Sequence, residues 1–82
     1  MSEAQTISER LRDHIADFFG VQHAVITPEA KIEDFGADSL DIIEFTLIVE
    51  EEFGIDCIAD EEVEKWKTVA DIEKFITEET SA

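Results

Sequence analysis

The chain has 82 residues, which is too short for two domains, so we expect residues 1–82 to form a single domain. Hydrophobic residues make up 44% of it and include six Phe, enough for one small core, which excludes an acidic disordered tail. The 22 acidic and 6 basic residues give a net charge of -16, which argues against nucleic acid or an anionic membrane surface as partners and favours basic proteins.

The first predicted element is an amphipathic helix. Ser2 and Gln5 have the spacing of a capping box, and Gly20 supplies a left-handed stop. Apolar residues recur on one face at Ile7, Leu11, Ile15 and Phe18.

A long loop follows, from Gly20 to Asp38, because no apolar period is sustained there. We interpret Thr27-Pro28 as a turn or a single helical turn. Three apolar residues are expected to pin the loop to the core: Ile26, Ile32 and Phe35. A loop of this length is unusual in so small a domain and indicates a function.

The second helix is predicted to begin after Asp38, with Asp41 completing the cap, and to end at Gly54. Its apolar residues fall into two stripes on nearly opposite sides. The stripe expected to face the core contains Ile42, Phe45, Val49 and Phe53. The other contains Leu40, Ile43 and Leu47 and is bordered by Glu44 and Glu51. Only one stripe can face the core, so the second should meet a neighbouring segment or a partner.

Two further helices complete the predicted fold. Asp60 can cap a short helix that contains Val63 and Trp66, and Thr68 with Asp71 begins a last helix. The last helix carries Val69, Ile72, Phe75 and Ile76. The stretch 55–58 resembles a strand but has no partner strand, so we interpret it as a loop. The fold class is therefore all-α, a small four-helix bundle of three main helices and one short one.

The residues available for chemistry argue against an enzyme. His14 and His23 have no second ligand at metal spacing and are interpreted as surface histidines, so no metal site is expected. Cys57 has no neighbour that would stabilise a thiolate and is expected to be buried and structural. No segment matches a calcium-binding loop, and Ser39 lacks a recognisable arrangement with either histidine.

The acidic residues are concentrated in the middle of the chain. Residues 32–64 carry thirteen acids and no base, so this segment holds -13 of the net charge. Ser39 lies inside it, at the start of the two-striped helix. Either Asp38 or Ser39 could simply cap that helix. Alternatively, Ser39 could carry a phosphodiester, because a helix N-terminus favours an anion.

The segment 34–41, Asp-Phe-Gly-Ala-Asp-Ser-Leu-Asp, resembles acyl carrier proteins of the bacterial type II kind. Glu44 and the segment 50–55, Glu-Glu-Glu-Phe-Gly-Ile, extend the resemblance, which spans nearly the whole chain. It implies that Ser39 carries 4'-phosphopantetheine, delivered from coenzyme A by a magnesium-dependent phosphopantetheinyl transferase. The terminal thiol of that arm would hold an acyl group as a thioester, and the carrier itself would catalyse nothing.

The resemblance also implies a surface that meets acyl-processing enzymes through their basic patches. Its residues would be Asp38, Leu40, Asp41, Ile43, Glu44, Leu47 and Glu51. The sequence departs from the family pattern at 56–59, where proline is absent, and in the bulk of Phe35 and Trp66. These differences suggest a specialised carrier, although neutral repacking explains them equally well.

Two alternatives stay open at this point. One is a peptidyl or aminoacyl carrier domain, and the other is an unmodified acidic adaptor or inhibitor of a basic protein. In every case we expect a cytoplasmic setting, because the single cysteine cannot form an intramolecular disulfide and residues 1–4 do not resemble a signal peptide. We also expect a monomer. The longest uncharged stretch, 18–28, is too short to span a membrane.

Overall fold

The computed structural model describes residues 6–80, and its regular elements are α-helical. The four helices are α1 (Ile7–Phe19), α2 (Ser39–Phe53), α3 (Asp60–Glu64) and α4 (Val69–Thr80). Two short 3-10 turns, His23–Val25 and Ile32–Phe35, lie in the loop between α1 and α2. The described chain forms no strand, only an isolated bridge between Lys31 and Thr68. The predicted all-α bundle is therefore confirmed.

Local hydrogen bonds fix where α1 begins. Its cap is Thr6, whose hydroxyl accepts from the Glu9 amide at 3.1 Å while the Glu9 carboxylate accepts from the Thr6 amide at 3.0 Å. The predicted box at Ser2 and Gln5 lies outside the described residues. Gly20 ends the helix at φ 68°, the left-handed conformation expected of it.

The long loop is fastened to the segment that leads into α4. The Ile32 amide donates to the Lys67 carbonyl, and the Val69 amide donates to the Ala30 carbonyl, both at 3.0 Å. Ile26 and Ile32 are buried, as predicted. A loop of nineteen residues therefore has a defined path, because its backbone groups are paired and its apolar side chains enter the core.

The core lies between all four helices and the loop. α1 and α4 pack directly on each other. Phe45 of α2 lies 5.6 Å, between ring centroids, from both Phe18 and Phe19 of α1. The buried hydrophobic residues are Leu11, Ile15, Ile26, Ile32, Phe45, Val49, Phe53, Ile55, Ile58, Trp66, Val69, Ile72, Phe75 and Ile76. The core-facing residues predicted for α2 and α4 are among them, except that Ile42 is half-buried.

The prediction for α3 was wrong in two details. Asp60 is the first residue of the helix and not its cap; Ala59 holds that position and has no side-chain acceptor. Trp66 lies beyond the end of the helix, because the last turn closes with 3-10 hydrogen bonds. The Lys65 amide donates to the Glu62 carbonyl, and the Trp66 amide donates to the Val63 carbonyl. This turn sends the indole into the core.

Cys57 is exposed, which contradicts the predicted buried position. It lies between two buried residues, Ile55 and Ile58, that hold the segment on the core. The Ile58 amide also donates to the Glu50 carboxylate at 2.9 Å. With both flanking isoleucines turned inward, the intervening cysteine is left at the surface. The same contacts confirm that 55–58 is a loop.

The start of α4 depends on an ionised carboxylate. Asp71 Oδ2 accepts from the amides of Thr68 at 3.0 Å and Lys67 at 3.1 Å, and the Asp71 amide donates to the Thr68 hydroxyl at 3.3 Å. The Thr68 backbone hydrogen bond is the main cause that lowers the pKa of Asp71 from its ordinary 3.8, with the Lys67 amide also contributing. The predicted pairing of Thr68 with Asp71 is confirmed.

We predict that Asp71→Asn lowers the free energy of unfolding by about 1 kcal/mol at neutral pH, because a charged acceptor is replaced by a neutral one. The folded pKa is depressed, so the contribution of Asp71 is fully present above 3.8 and is lost as the pH falls through the lowered value. Urea denaturation of both proteins over a pH series checks this. The difference between them should shrink below pH 3.8, and a constant difference would contradict the assignment.

Candidate functional site

Ser39 is the first residue of α2, and its side chain is exposed. The helix is capped by its neighbour: Asp38 Oδ1 accepts from the Asp41 amide at 3.0 Å, and Asp41 Oδ2 accepts from the Asp38 amide at 3.3 Å. This reciprocal pair is the capping box that the sequence predicts for α2, and Gly54 ends the helix in the left-handed region at φ 69°.

The cap decides between two interpretations of Ser39. Capping is performed by Asp38, and none of the residues in 6–80 hydrogen-bonds to the Ser39 hydroxyl. The serine therefore has no structural task that would occupy its oxygen. It is an exposed alcohol at a helix N-terminus, where the first backbone amides have no partner within the helix.

The two apolar stripes of α2 are separated as predicted. Phe45, Val49 and Phe53 are buried. On the other side, Leu40 is 63% exposed, Ile43 57% and Leu47 60%. We call these last three residues the outward stripe. Three large aliphatic side chains on one exposed helix face form the kind of patch that marks an interaction surface.

Acidic residues accompany the outward stripe. Asp38, Glu44 and Glu51 are exposed, and Asp41 is half-buried beneath its capping contacts. Ion pairs of the described chain are found elsewhere, for example His14 with Glu52, His23 with Asp13, and Lys65 with Glu62. The carboxylates beside the stripe thus face solvent without a basic partner from this part of the chain.

An open groove of about 620 Å³ lies beside Ser39, between α2 and α3. Its apolar walls come from Ala37, Ile42, Ile43, Val63 and Trp66. Its acidic residues are Glu33, Asp38, Asp60 and Glu64. Of the lining residues, the sequence singled out Ser39, Asp38 and Ile43 as site residues and missed the contribution of α3. The sequence signal for this contribution was Trp66, whose bulk departs from the family pattern.

Both histidines lie beside surface carboxylates. His14 lies 3.5 Å from Glu52 and His23 lies 3.2 Å from Asp13, so each histidine is accounted for by a surface carboxylate. Within residues 6–80, no group of three or more metal-ligating side chains could hold a metal ion. An exposed Cys57 without a partner is not by itself a site.

The residues at Ser39 fit a phosphate ester. The hydroxyl is accessible and uncommitted, and the free amides and positive dipole end of α2 favour an anion there. Asp38 and Asp41 oppose a phosphate electrostatically, so an anion there is held by its covalent bond and not by the side-chain charges beside it. The site is thus suited to holding a covalently attached anion, which needs no binding energy to stay.

None of the described helices is long and apolar enough to cross a membrane.

A family model described as the phosphopantetheine attachment site matches residues 9–76, which is most of the chain. Members of this family are carriers to which 4'-phosphopantetheine is covalently attached, and they are not themselves catalysts. They work with a phosphopantetheinyl transferase and with the enzymes that process the carried group. The match agrees with the helical fold. The chain therefore belongs to the phosphopantetheine attachment site family and is a carrier protein.

Proposed function

We propose that this carrier is an acyl carrier protein of the bacterial type II kind, with Ser39 as the attachment residue. The observation that supports it best is the arrangement at the start of α2. An uncommitted exposed hydroxyl lies directly beside the outward stripe and its acidic residues. Attachment point and docking surface then belong to one helix.

The loading step uses the Ser39 hydroxyl as the acceptor. Its oxygen bonds to the phosphorus of the arm, its proton passes to a base of the transferase, and the adenosine bisphosphate part of coenzyme A leaves. Because Asp38 already satisfies the Asp41 amide, modification of Ser39 does not dismantle the helix cap. The bound group supplies a terminal thiol that forms the thioester. Cys57 lies in the segment between α2 and α3 and has no part in this step.

Docking combines a long-range and a short-range contribution. Thirteen acids in residues 32–64 attract a basic patch and raise the rate of encounter. Solvent-exposed charge pairs add little affinity, since water and salt screen them. The outward stripe supplies the apolar contact that fixes the complex. A carrier that must visit several enzymes in turn benefits from fast arrival and modest affinity.

An aminoacyl carrier is the second candidate. Four carboxylates line the groove beside Ser39, and they would suit the ammonium group of an aminoacyl thioester. The apolar walls of the same groove favour a hydrocarbon chain instead. An unmodified adaptor is disfavoured, because the family is defined by its covalent group.

Attachment at Ser39 can be tested by intact mass. Incubation with coenzyme A, magnesium and a phosphopantetheinyl transferase should add one phosphopantetheine to the chain, seen by intact-mass analysis. Ser39→Ala should abolish the addition, because the accepting oxygen is removed. The matched control is Ser8→Ala, in α1, which should be modified like the parent protein.

Addition of the same mass to the Ser39→Ala protein would contradict the assignment of Ser39. Absence of any added mass from a transferase that modifies other carriers would contradict the carrier function. Acyl and aminoacyl carriers are then separated by the group that is recovered on the arm from the native cells.

The docking surface can be tested by substitutions on the exposed face of α2. Glu44→Lys should lower kcat/KM of the transferase about tenfold at low salt, because a charge that faces a basic patch is reversed. Leu47→Ala should lower it about threefold to tenfold through the lost apolar contact. Both residues are exposed, so the melting temperatures should change little.

Two variants elsewhere serve as controls. Glu79→Lys makes the same charge change on exposed α4 surface, and Val25→Ala truncates an aliphatic side chain that is 51% exposed on the loop. Both should keep kcat/KM close to the parent value. Equal losses in the controls and in the α2 variants would show that the outward stripe has no special role.

A further inference from the structure

Aromatic rings fill the part of the core where α1, α2 and the loop meet. Phe45 of α2 is 2% exposed, and its ring lies 5.6 Å, between centroids, from both Phe18 and Phe19. The rings of Phe18 and Phe19 lie 4.9 Å apart, and that of Phe35, in the loop, lies 6.0 Å from Phe19. We call these four residues the four-ring cluster. Phe35 brings the cluster to within four residues of Ser39 in the sequence.

Two further rings lie next to the groove beside Ser39. Trp66 lines that groove, yet it is only 7% exposed. Its ring lies 5.6 Å from that of Phe75, which is also buried. We call Trp66 and Phe75 the ring pair. An acyl chain that entered the core from the groove would meet the ring pair.

The rings of each group hold one another in place. Aromatic rings with centroids about 4.5–7 Å apart attract each other beyond the gain from burial, and the ring contacts described above lie in that range. Phe19 contacts every other member of the four-ring cluster, so moving one ring disturbs the rest. Protein interiors are packed too closely to admit extra methylenes without displacing atoms already there. Entry of an acyl chain into this core therefore requires at least one ring to move out.

The area of a ring decides whether that exchange is favourable. Burial of an aromatic side chain removes about 150–250 Å² from water. Burial of a methylene group removes about 30 Å², the area that corresponds to its transfer free energy. One displaced ring therefore offsets the burial of about five to eight methylenes, which is roughly the whole of an octanoyl chain. A chain of that length gains nothing by entering the core.

We propose that the four-ring cluster and the ring pair keep acyl chains of up to about eight carbons outside the core of this carrier. Phe45 and Trp66 are then specificity-determining residues, because they decide where the carried group lies. The thioester stays in solvent, and a partner enzyme takes over the group without first opening the bundle. This inference rests on the proposed function, since it concerns a group attached through Ser39. It goes further by stating where the cargo lies.

Thioester reactivity tests the position of the cargo. A phosphopantetheinyl transferase loads acetyl- or octanoyl-pantetheine from the matching coenzyme A thioester, and intact mass confirms each product. Cleavage by hydroxylamine is measured for both, and each rate is divided by that of the same free pantetheine thioester. In the parent protein the two ratios should agree within about twofold, because a chain that is outside the core more than half of the time protects its thioester by no more than that. An octanoyl ratio lower than this would contradict the inference.

Truncation of one ring tests what excludes the chain. Phe45→Ala leaves a cavity in the four-ring cluster that an octanoyl chain can fill. On the same scale, its octanoyl thioester should be cleaved about fivefold more slowly than its acetyl thioester, as expected for a chain that is inside about four fifths of the time. Phe45→Leu opens a smaller space and replaces the alanine variant if that variant does not fold. The matched control is Phe53→Ala, which removes a buried ring that contacts His14, and it should keep the ratios of the parent.

A second measurement needs no variant. Backbone amide signals of buried residues such as Leu11 and Ile72 should have the same chemical shifts in the acetyl and octanoyl forms of the parent protein. A chain inside the core would change these shifts, because it would repack the side chains around them.

The outcomes keep the two hypotheses apart. If Ser39 is loaded and the parent protein protects the octanoyl thioester or shifts its core signals, this inference is wrong and the carrier function stands. If neither the parent nor the folded Phe45 variants protect it, the rings are not what excludes the chain, which overturns their assigned role. If a transferase that modifies other carriers never modifies Ser39, the proposed function itself fails and this inference fails with it.

Discussion

A bundle of this size can bury only one side of α2, and the helix has two apolar sides. Phe45, Val49 and Phe53 occupy the core, and the whole bundle closes on them. Leu40, Ile43 and Leu47 are consequently left in solvent, at the cost of exposing apolar surface to water. A domain concerned only with stability would have polar residues there. The exposed stripe is thus the main physical evidence for a protein partner.

The charges beside this stripe follow the same logic. Acidic side chains keep an apolar face soluble and confine its contacts to surfaces of opposite sign. Asp38 has two roles, because its carboxylate caps α2 and the same residue lines the groove. Ser39 is left with no structural duty. In this way a few residues at the start of α2 combine helix formation, solubility and an accessible hydroxyl.

Much of this arrangement could be predicted from the sequence. The position of α2 could be predicted because the signals for it are local. Its apolar residues repeat with the helical period, Asp38 and Asp41 lie three residues apart, and Gly54 follows the last apolar residue. The environment of α3 could not be predicted in this way. Trp66 leaves the helix because backbone pairs close the turn before it, and Cys57 is exposed because its neighbours are turned inward. Such facts depend on packing between segments distant in sequence.

The same limit applies to the groove. Its walls come from the loop, α2 and the region after Asp60, and no spacing in the sequence reports that these meet. The hydrogen bonds between the loop and the approach to α4 join the first and the last of these regions. Residue types still gave a partial signal, since a lone tryptophan in a short domain indicated a departure from simple aliphatic packing.

Ser39 and Leu47 lie on a single rigid helix. At about 1.5 Å per residue, the two lie roughly 12 Å apart along the axis. Under the proposed function, a partner that binds the outward stripe would receive the attachment point of the arm at a fixed offset. Only the free end of the tethered arm would then have to reach the partner's active site, where its effective concentration is of order millimolar. Modest affinity between the proteins then suffices for efficient transfer.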